Sequence, residues 1–259
     1  MGEGLDLEPA LDTARRAVAR AGEAALRRFH EGVAVELKED LSPVTVADRE
    51  AEAEILQVLR EAYPSHDVLG EESGGAQGRA SPWRWIIDPI DGTRGFSRGG
   101  SFWGPLLALE EQGEVVVGAM ALPALGESYW AAKGLGAWCD GTRLRVSDID
   151  DLAQATLSLG ELKRLLGEPW RGGVSALMRR VASTRCYGDL ASWAMLLRGR
   201  AELCLEAGVE VWDLAAAKIL VEEAGGRFTN FSGGPSLDPG NGLASNGRLH
   251  ETALAALAP

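Results

Sequence analysis

The segment Ile86-Ile87-Asp88-Pro89-Ile90-Asp91-Gly92-Thr93 joins an apolar, branched run directly to two aspartates, a proline and a glycine. Branched apolar residues favour an extended strand, so acid is delivered at a strand end. Pro89 stiffens the turn and forces Asp88 into an extended conformation, which lets both carboxylates and the intervening Ile90 carbonyl converge. If a helix starts beyond Gly92, the amides of Gly92 and Thr93 can point at an anion. Read alone, Asp91-Gly92 is also compatible with an ordinary β-turn and Asp88 with a strand-ending cap.

Two further acidic elements accompany it. Gly70-Glu71-Glu72 follows the apolar pair Val68-Leu69, as a solvated loop would or as another wall of a cation cage. Val211-Trp212-Asp213-Leu214-Ala215-Ala216 sets an aspartate ahead of a helical run ending at Gly225-Gly226. There Asp213 reads as a helix N-cap, a role compatible with turning one oxygen toward a metal. None of the three contains histidine or cysteine, and an all-oxygen set suits magnesium or manganese rather than zinc. The chain lacks a phosphate-binding loop ending in Gly-Lys-Ser, a Gly-x-Ser-x-Gly elbow and a dinucleotide fingerprint, which leaves metal-assisted phosphoryl chemistry.

Composition narrows the partners. The 259 residues are 46% hydrophobic and 25% charged with a formal net charge of −12, so a soluble globular chain without general attraction to nucleic acid or anionic membranes is expected. No apolar stretch approaches the ~20 residues that cross a bilayer. The acidic amino terminus lacks the pattern of a secretory signal, and a cytoplasmic location is the expectation. Cys139, Cys186 and Cys204 are widely spaced and read as buried thiols; His30, His66 and His250 lie outside every acidic cluster and read as surface or capping residues.

Apolar spacing predicts one amphipathic helix between Leu5 and His30, stopped at Gly32, and a second over Ala47 to Ala62, ended by Tyr63-Pro64. Val33 to Thr45 suits a strand and a turn. Trp83 to Met120 reads as sheet strands, with further short ones at Ser128 to Ala132 and Leu144 to Val146, giving a predominantly antiparallel first half. In the second half, strand candidates at Ala155 to Leu159, Ala201 to Leu205 and Gly226 to Phe231 alternate with helical ones at Val174 to Val181, Leu190 to Leu197 and Asp213 to Ala224. The fold class is therefore α/β, a mixed α+β half over 1–146 carrying the acidic site and an α/β half over 147–259 closing a cleft against it.

In order and spacing, Gly70-Glu71-Glu72, Asp88-Pro89-Ile90-Asp91-Gly92-Thr93 and Trp212-Asp213-Leu214-Ala215-Ala216 resemble the inositol monophosphatase family. The resemblance runs from Lys38 through Ser42-Pro43-Val44-Thr45-Val46-Ala47-Asp48 to Glu222-Glu223-Ala224-Gly225-Gly226. It implies a layered αβαβα sandwich of the inositol monophosphatase and fructose bisphosphatase type, a homodimer, and two or three Mg2+ ions, with Mn2+ as a substitute. Glu71, Asp88 and the Ile90 carbonyl would bind one ion, Asp88, Asp91 and Asp213 a second. The Gly92 and Thr93 amides would hold phosphate, while Thr93, with Glu71 and Asp48, would orient the attacking water. Glu206 stands where family members contact a sugar hydroxyl. Inositol 1-phosphate or another polyol phosphate leads as substrate.

Tyr187-Gly188-Asp189, Gly226-Arg227-Phe228-Thr229 and Ala244-Ser245-Asn246-Gly247 also resemble the histidinol-phosphate phosphatase branch, in which Asp189 or Glu206 would pair with a substrate ammonium. Asp189 is equally compatible with capping the helix near Leu190. Fructose bisphosphate and nucleoside bisphosphates follow, and a regulatory protein that binds partners through the same fold is the non-enzyme alternative. Arg94-Gly95-Phe96 stands where many family members have an asparagine before the phenylalanine; the sequence assigns no role to Arg94, Arg98 or Arg185.

Overall fold

The computed structural model describes residues 5–32, 36–37, 43–75 and 80–257. Helix α1 (Leu7–Glu31) starts where Asp6 accepts the Glu8 amide and stops at Gly32, whose φ of +76° suits glycine. Strands β1 (Glu36–Leu37) and β2 (Pro43–Val44) form a small ribbon before helix α2 (Val46–Ala62). Residues 33–35 and 38–42, including Lys38 and Ser42 of the expected strand and turn, lie outside the described residues.

The large sheet comprises β3 (Asp67–Gly70), β4 (Gly74–Gly75), β5 (Trp83–Asp91), β6 (Gly104–Glu111), β7 (Glu114–Leu122), β8 (Glu127–Ala132), β9 (Gly136–Cys139) and β10 (Thr142–Arg143), with the four-residue helix α3 (Thr93–Phe96) after β5. Its strand order is β10-β9-β8-β7-β6-β5-β3-β4, antiparallel except for β3 beside β5. Beyond it come β11 (Thr156–Leu159), α4 (Leu162–Leu165), α5 (Arg171–Arg180), β12 (Ser183–Arg185), α6 (Asp189–Leu197), β13 (Leu203–Ala207), α7 (Val211–Glu223), β14 (Arg227–Thr229), β15 (Asn241–Ser245) and α8 (His250–Leu257). The second sheet runs β12-β11-β13-β15-β14, with β12, β11 and β13 parallel and β15 antiparallel to its neighbours.

Five layers result. Helices α1 and α2 bury Ala14, Val18, Ala51 and Ile55 against Ile87, Leu107 and Val117 on one face of the large sheet. The α6 and α7 layer fills the space between the sheets, where Leu214, Ile219 and Trp193 meet Leu106, Met120, Cys204 and Phe228 in one shared core. Helices α5 and α8 close the outer face of the small sheet over Leu157, Leu203 and Leu243. The α/β class and αβαβα layering are as expected.

Several local expectations need correction. Leu144 to Val146 is not a strand: the chain leaves the sheet edge, and the Val146 amide donates to Ala224 O at the end of α7. Strands β9, β12 and β15 carry no long apolar run, and neither they nor helix α8 stand among the expected elements. Cys186 is exposed, while Cys139 and Cys204 are buried as expected. His250 is wholly buried between Thr229 Oγ1 at 2.9 Å and Ser245 Oγ at 2.8 Å, so it is a core residue. His66 stacks between Tyr63 and Trp83, and His30 is exposed in the last turn of α1.

Candidate active site

Strand β5 does not end at Asp88 but continues to Asp91 through an irregularity. Asp88 pairs with Leu106 and Asp91 with Gly104, a one-residue change of register across Pro89 and Ile90. Residues three apart on a regular strand face opposite sides of the sheet. Proline offers no ladder donor, and the local slip turns both carboxylates to one side. The Ile90 amide locks the turn by donating to Asp88 Oδ1 at 3.0 Å.

Asp213 arrives from the middle layer. It is not the N-cap of α7, because Glu210 occupies that place; Asp213 is the third helical residue, and its Oδ2 accepts the Glu210 amide at 2.6 Å. Its backbone is thereby fixed in the first turn. One oxygen each from Asp88, Asp91 and Asp213 lie within 4.8 Å of one another. Burial, then the charges of Glu71, Asp91 and Asp213, push the Asp88 carboxyl well above the usual carboxylate range. Asp91 is raised by burial, then by Asp189 and Asp213, and Asp213 is raised by burial. Such a group requires protons or a cation to offset its charge, and three oxygen donors this close suit a hard divalent ion.

Glu71 follows β3, anchored by its amide to Ile87 O at 3.1 Å, and lines the same cleft beside the tight trio. Thr93 opens α3. Its Oγ1 is 3.1 Å from Asp48 Oδ1 and 2.9 Å from Ile90 O, and its single proton can satisfy one of them at a time. Asp48, 1% exposed, is the third residue of α2, and its Oδ2 takes both the amide (2.7 Å) and the hydroxyl (2.6 Å) of Thr45. Burial raises its pKa, and the hydrogen bonds from Thr45 and Thr93 oppose that rise. Gly92 has φ +85°, and a Cβ there would stand 3.0 Å from both Asp189 Oδ2 and Phe102 O. Both the conformation and the space require glycine.

The cleft, about 540 Å³ in volume, carries further acid, with Glu161, Asp189 and Glu206 among its lining residues. Asp189 is not a cap: Gly188 holds that position, and Asp189 begins α6 at φ +45°, a strained value for a residue with a side chain. Burial and then the Asp213 charge raise its pKa to about 6. Burial and then Asp189 raise Glu206 to about 8. Among the described residues Glu206 Oε1 is buried without a hydrogen-bond partner, and a Cβ at Gly160 would fall 1.6 Å from its Oε2. Arg94 lines the cleft, whereas Arg98 and Arg185 do not.

All the expected site residues thus meet around one cleft. Sequence reasoning missed Glu161 and Glu52. Glu52 carried a signal: with Ala51, Ile55 and Leu59 it falls on the buried face of α2, an odd place for a carboxylate.

Comparison with known proteins agrees with this architecture. The inositol monophosphatase family profile matches residues 6–259. A histidinol-phosphatase of Mycobacterium tuberculosis is 41% identical over 231 residues, 86% of this chain and 87% of its own. An inositol-1-monophosphatase of Mesorhizobium japonicum is 34% identical over 250 residues, 93% of each chain. The crystal structure of the extragenic suppressor protein suhB from Bartonella henselae superposes with a TM-score of 0.89 at 30% identity, covering 96% of this chain and 98% of that one.

Proposed function

We propose that this chain, which belongs to the inositol monophosphatase family of phosphatases, is a Mg2+-dependent phosphomonoesterase whose substrate is an amino-alcohol phosphate, histidinol phosphate. The observation that carries the substrate is the surplus of acid in the cleft. Asp189 and Glu206 lie beyond the carboxylates a metal site needs, and a buried Glu206 oxygen without a partner among the described residues suits a substrate ammonium. The histidinol-phosphatase relative supports the same choice. A second reading, inositol 1-phosphate, draws on the pKa of Glu206 near 8: a protonated carboxyl can donate a hydrogen bond to a sugar hydroxyl.

In this scheme Glu71, Asp88 and the Ile90 carbonyl would hold one divalent ion, and Asp88, Asp91 and Asp213 a second; Mn2+ would fit the same donors. Bound there, the ions supply positive charge that offsets the phosphate and acidifies the attacking water. The chain's own residues do the positioning. Thr93 Oγ1 would donate a hydrogen bond to Asp48 Oδ1, which leaves its oxygen lone pairs free to accept a hydrogen bond from water. The Gly92 and Thr93 amides, at the start of α3, hold the phosphate oxygens. Asp189 and Glu206 orient the rest of the substrate.

The test is phosphate release under fixed Mg2+. A kcat/KM for histidinol phosphate more than tenfold above that for inositol 1-phosphate, ~1.4 kcal/mol of differential transition-state binding, supports the assignment. The reverse ratio overturns the substrate. Asp213→Asn should lower turnover at least about 100-fold, roughly 2.7 kcal/mol, while the fold persists. A folded wild-type chain that turns over no phosphomonoester would refute the enzyme and favour a partner-binding role.

A further inference from the structure

We infer that Glu52 is a positioning residue, a buried carboxylate on α2 that clamps the turn carrying Glu71. It is 2% exposed, and its two oxygens are both engaged by that turn: Oε2 accepts the Glu72 amide at 2.9 Å and Oε1 the Ser73 amide at 2.8 Å. With the Glu71 amide tied to Ile87 O, three successive backbone donors of the turn are held. The fit is close on the strand side as well. A Cβ at Gly70 would stand 2.8 Å from Glu52 Oε1, so the carboxylate sits directly over a glycine.

The placement on α2 gives the clamp its meaning. Asp48 and Glu52 are one helical turn apart on the same buried face. Asp48 reaches Thr93 Oγ1, and Glu52 reaches the backbone just after Glu71. One rigid helix therefore sets the separation between the residue that orients water and the glutamate on the cleft wall. A carboxylate chosen only to satisfy a loop would have no reason to share that face. The role rests on reading the cleft as a divalent-metal site, and it adds a residue outside the ligand set that tunes one ligand through its backbone.

Glu52→Gln tests it, because an amide group keeps one acceptor and turns a donor toward the second N–H. Two readouts apply to the 259-residue chain: hydrogen exchange of the Glu72 and Ser73 amides, and Mn2+ binding followed by electron paramagnetic resonance. We expect protection of those two amides to fall about tenfold with little change elsewhere in α2 and β3, and the Mn2+ dissociation constant to rise about tenfold. Gly70→Ala, which displaces the carboxylate without removing it, should act in the same direction and carries the test if Glu52→Gln does not fold. Equal Mn2+ affinity in the wild type and in the folded variants overturns the role of Glu52. A wild-type chain that binds no Mn2+ overturns the metal reading of the cleft instead.

Discussion

Asp88, Asp189, Glu206 and Asp213 are all held above the ordinary carboxylate range, each first of all by burial. A carboxyl with a raised pKa binds more protons folded than unfolded, so its contribution to stability is lost as pH rises from the unfolded value through the folded one. For Asp189 that loss extends to about pH 6 and for Glu206 to about pH 8. His250 acts with the opposite sign: burial lowers it from 6.5 to about 4, so stability is lost as pH falls through that window. With divalent ions chelated, the losses from Asp189 and Glu206 outweigh the single gain from His250 below about pH 6, so the thermal midpoint should decline as pH rises from about 5 to 8. Glu206→Gln should flatten the alkaline part of that decline. Calorimetry across pH 4 to about 9 checks this, and a midpoint that climbs steadily from pH 6.5 to 8 contradicts it.

Among the elements, α7 is packed with little tolerance. It lies on the large sheet where Gly118 of β7 leaves no room: a Cβ there would meet Ile219 Cγ2 at 2.4 Å and Ala216 O at 2.9 Å. The backbone atom cannot yield as a flexible side chain would, so an added methyl must lift the helix. Gly118→Ala should destabilise the protein by about 1–3 kcal/mol, within the range seen for overpacked cores. Because Asp213 rides in the first turn of α7, the same change should weaken Mn2+ binding although residue 118 touches no proposed ligand. Titration beside a denaturant melt separates the two effects. Unaltered metal affinity in a destabilised variant would show that the helix shift stops short of its first turn. Helix α2 shares this design: Asp48 and Asp213 are both third-position carboxylates, each held by its own helix start while aimed at the cleft.

Across the whole molecule, the cleft joins parts of the chain that would otherwise contribute separately. Asp88 and Asp91 belong to the large sheet and Asp213 to the helical layer between the sheets, with Asp189 from the same layer and Glu206 from the small sheet. A cation bound by the trio ties the sheet to the helix packed on it and removes the repulsion between them. At a Mg2+ concentration about 100 times its dissociation constant, ligand binding to the folded state alone should add ~2.7 kcal/mol. That corresponds to a rise in thermal midpoint of roughly 5–10 °C for a chain of this size. The rise should be larger at pH 8 than at pH 6, because fewer protons compete for the carboxylates. Scanning fluorimetry with and without Mg2+ measures it, and no shift in wild type, or an equal shift in Asp213→Asn, counts against the site.

Local chemistry was readable from the residues themselves. Spacing of apolar side chains located α1, α2 and the central strands, and the strings around Asp88, Glu71 and Asp213 marked where carboxylates stand at element ends, because residue type and short-range order govern both. Convergence depended on tertiary structure. The one-residue slip in β5, the close approach at Gly118, the left-handed start of α6 and the clamp of Glu52 on the Glu71 turn each depend on contacts between segments far apart in the chain. Periodicity along one segment carries no record of what packs against it, so the folded layers alone decided which acids face one another and how strongly they must be offset.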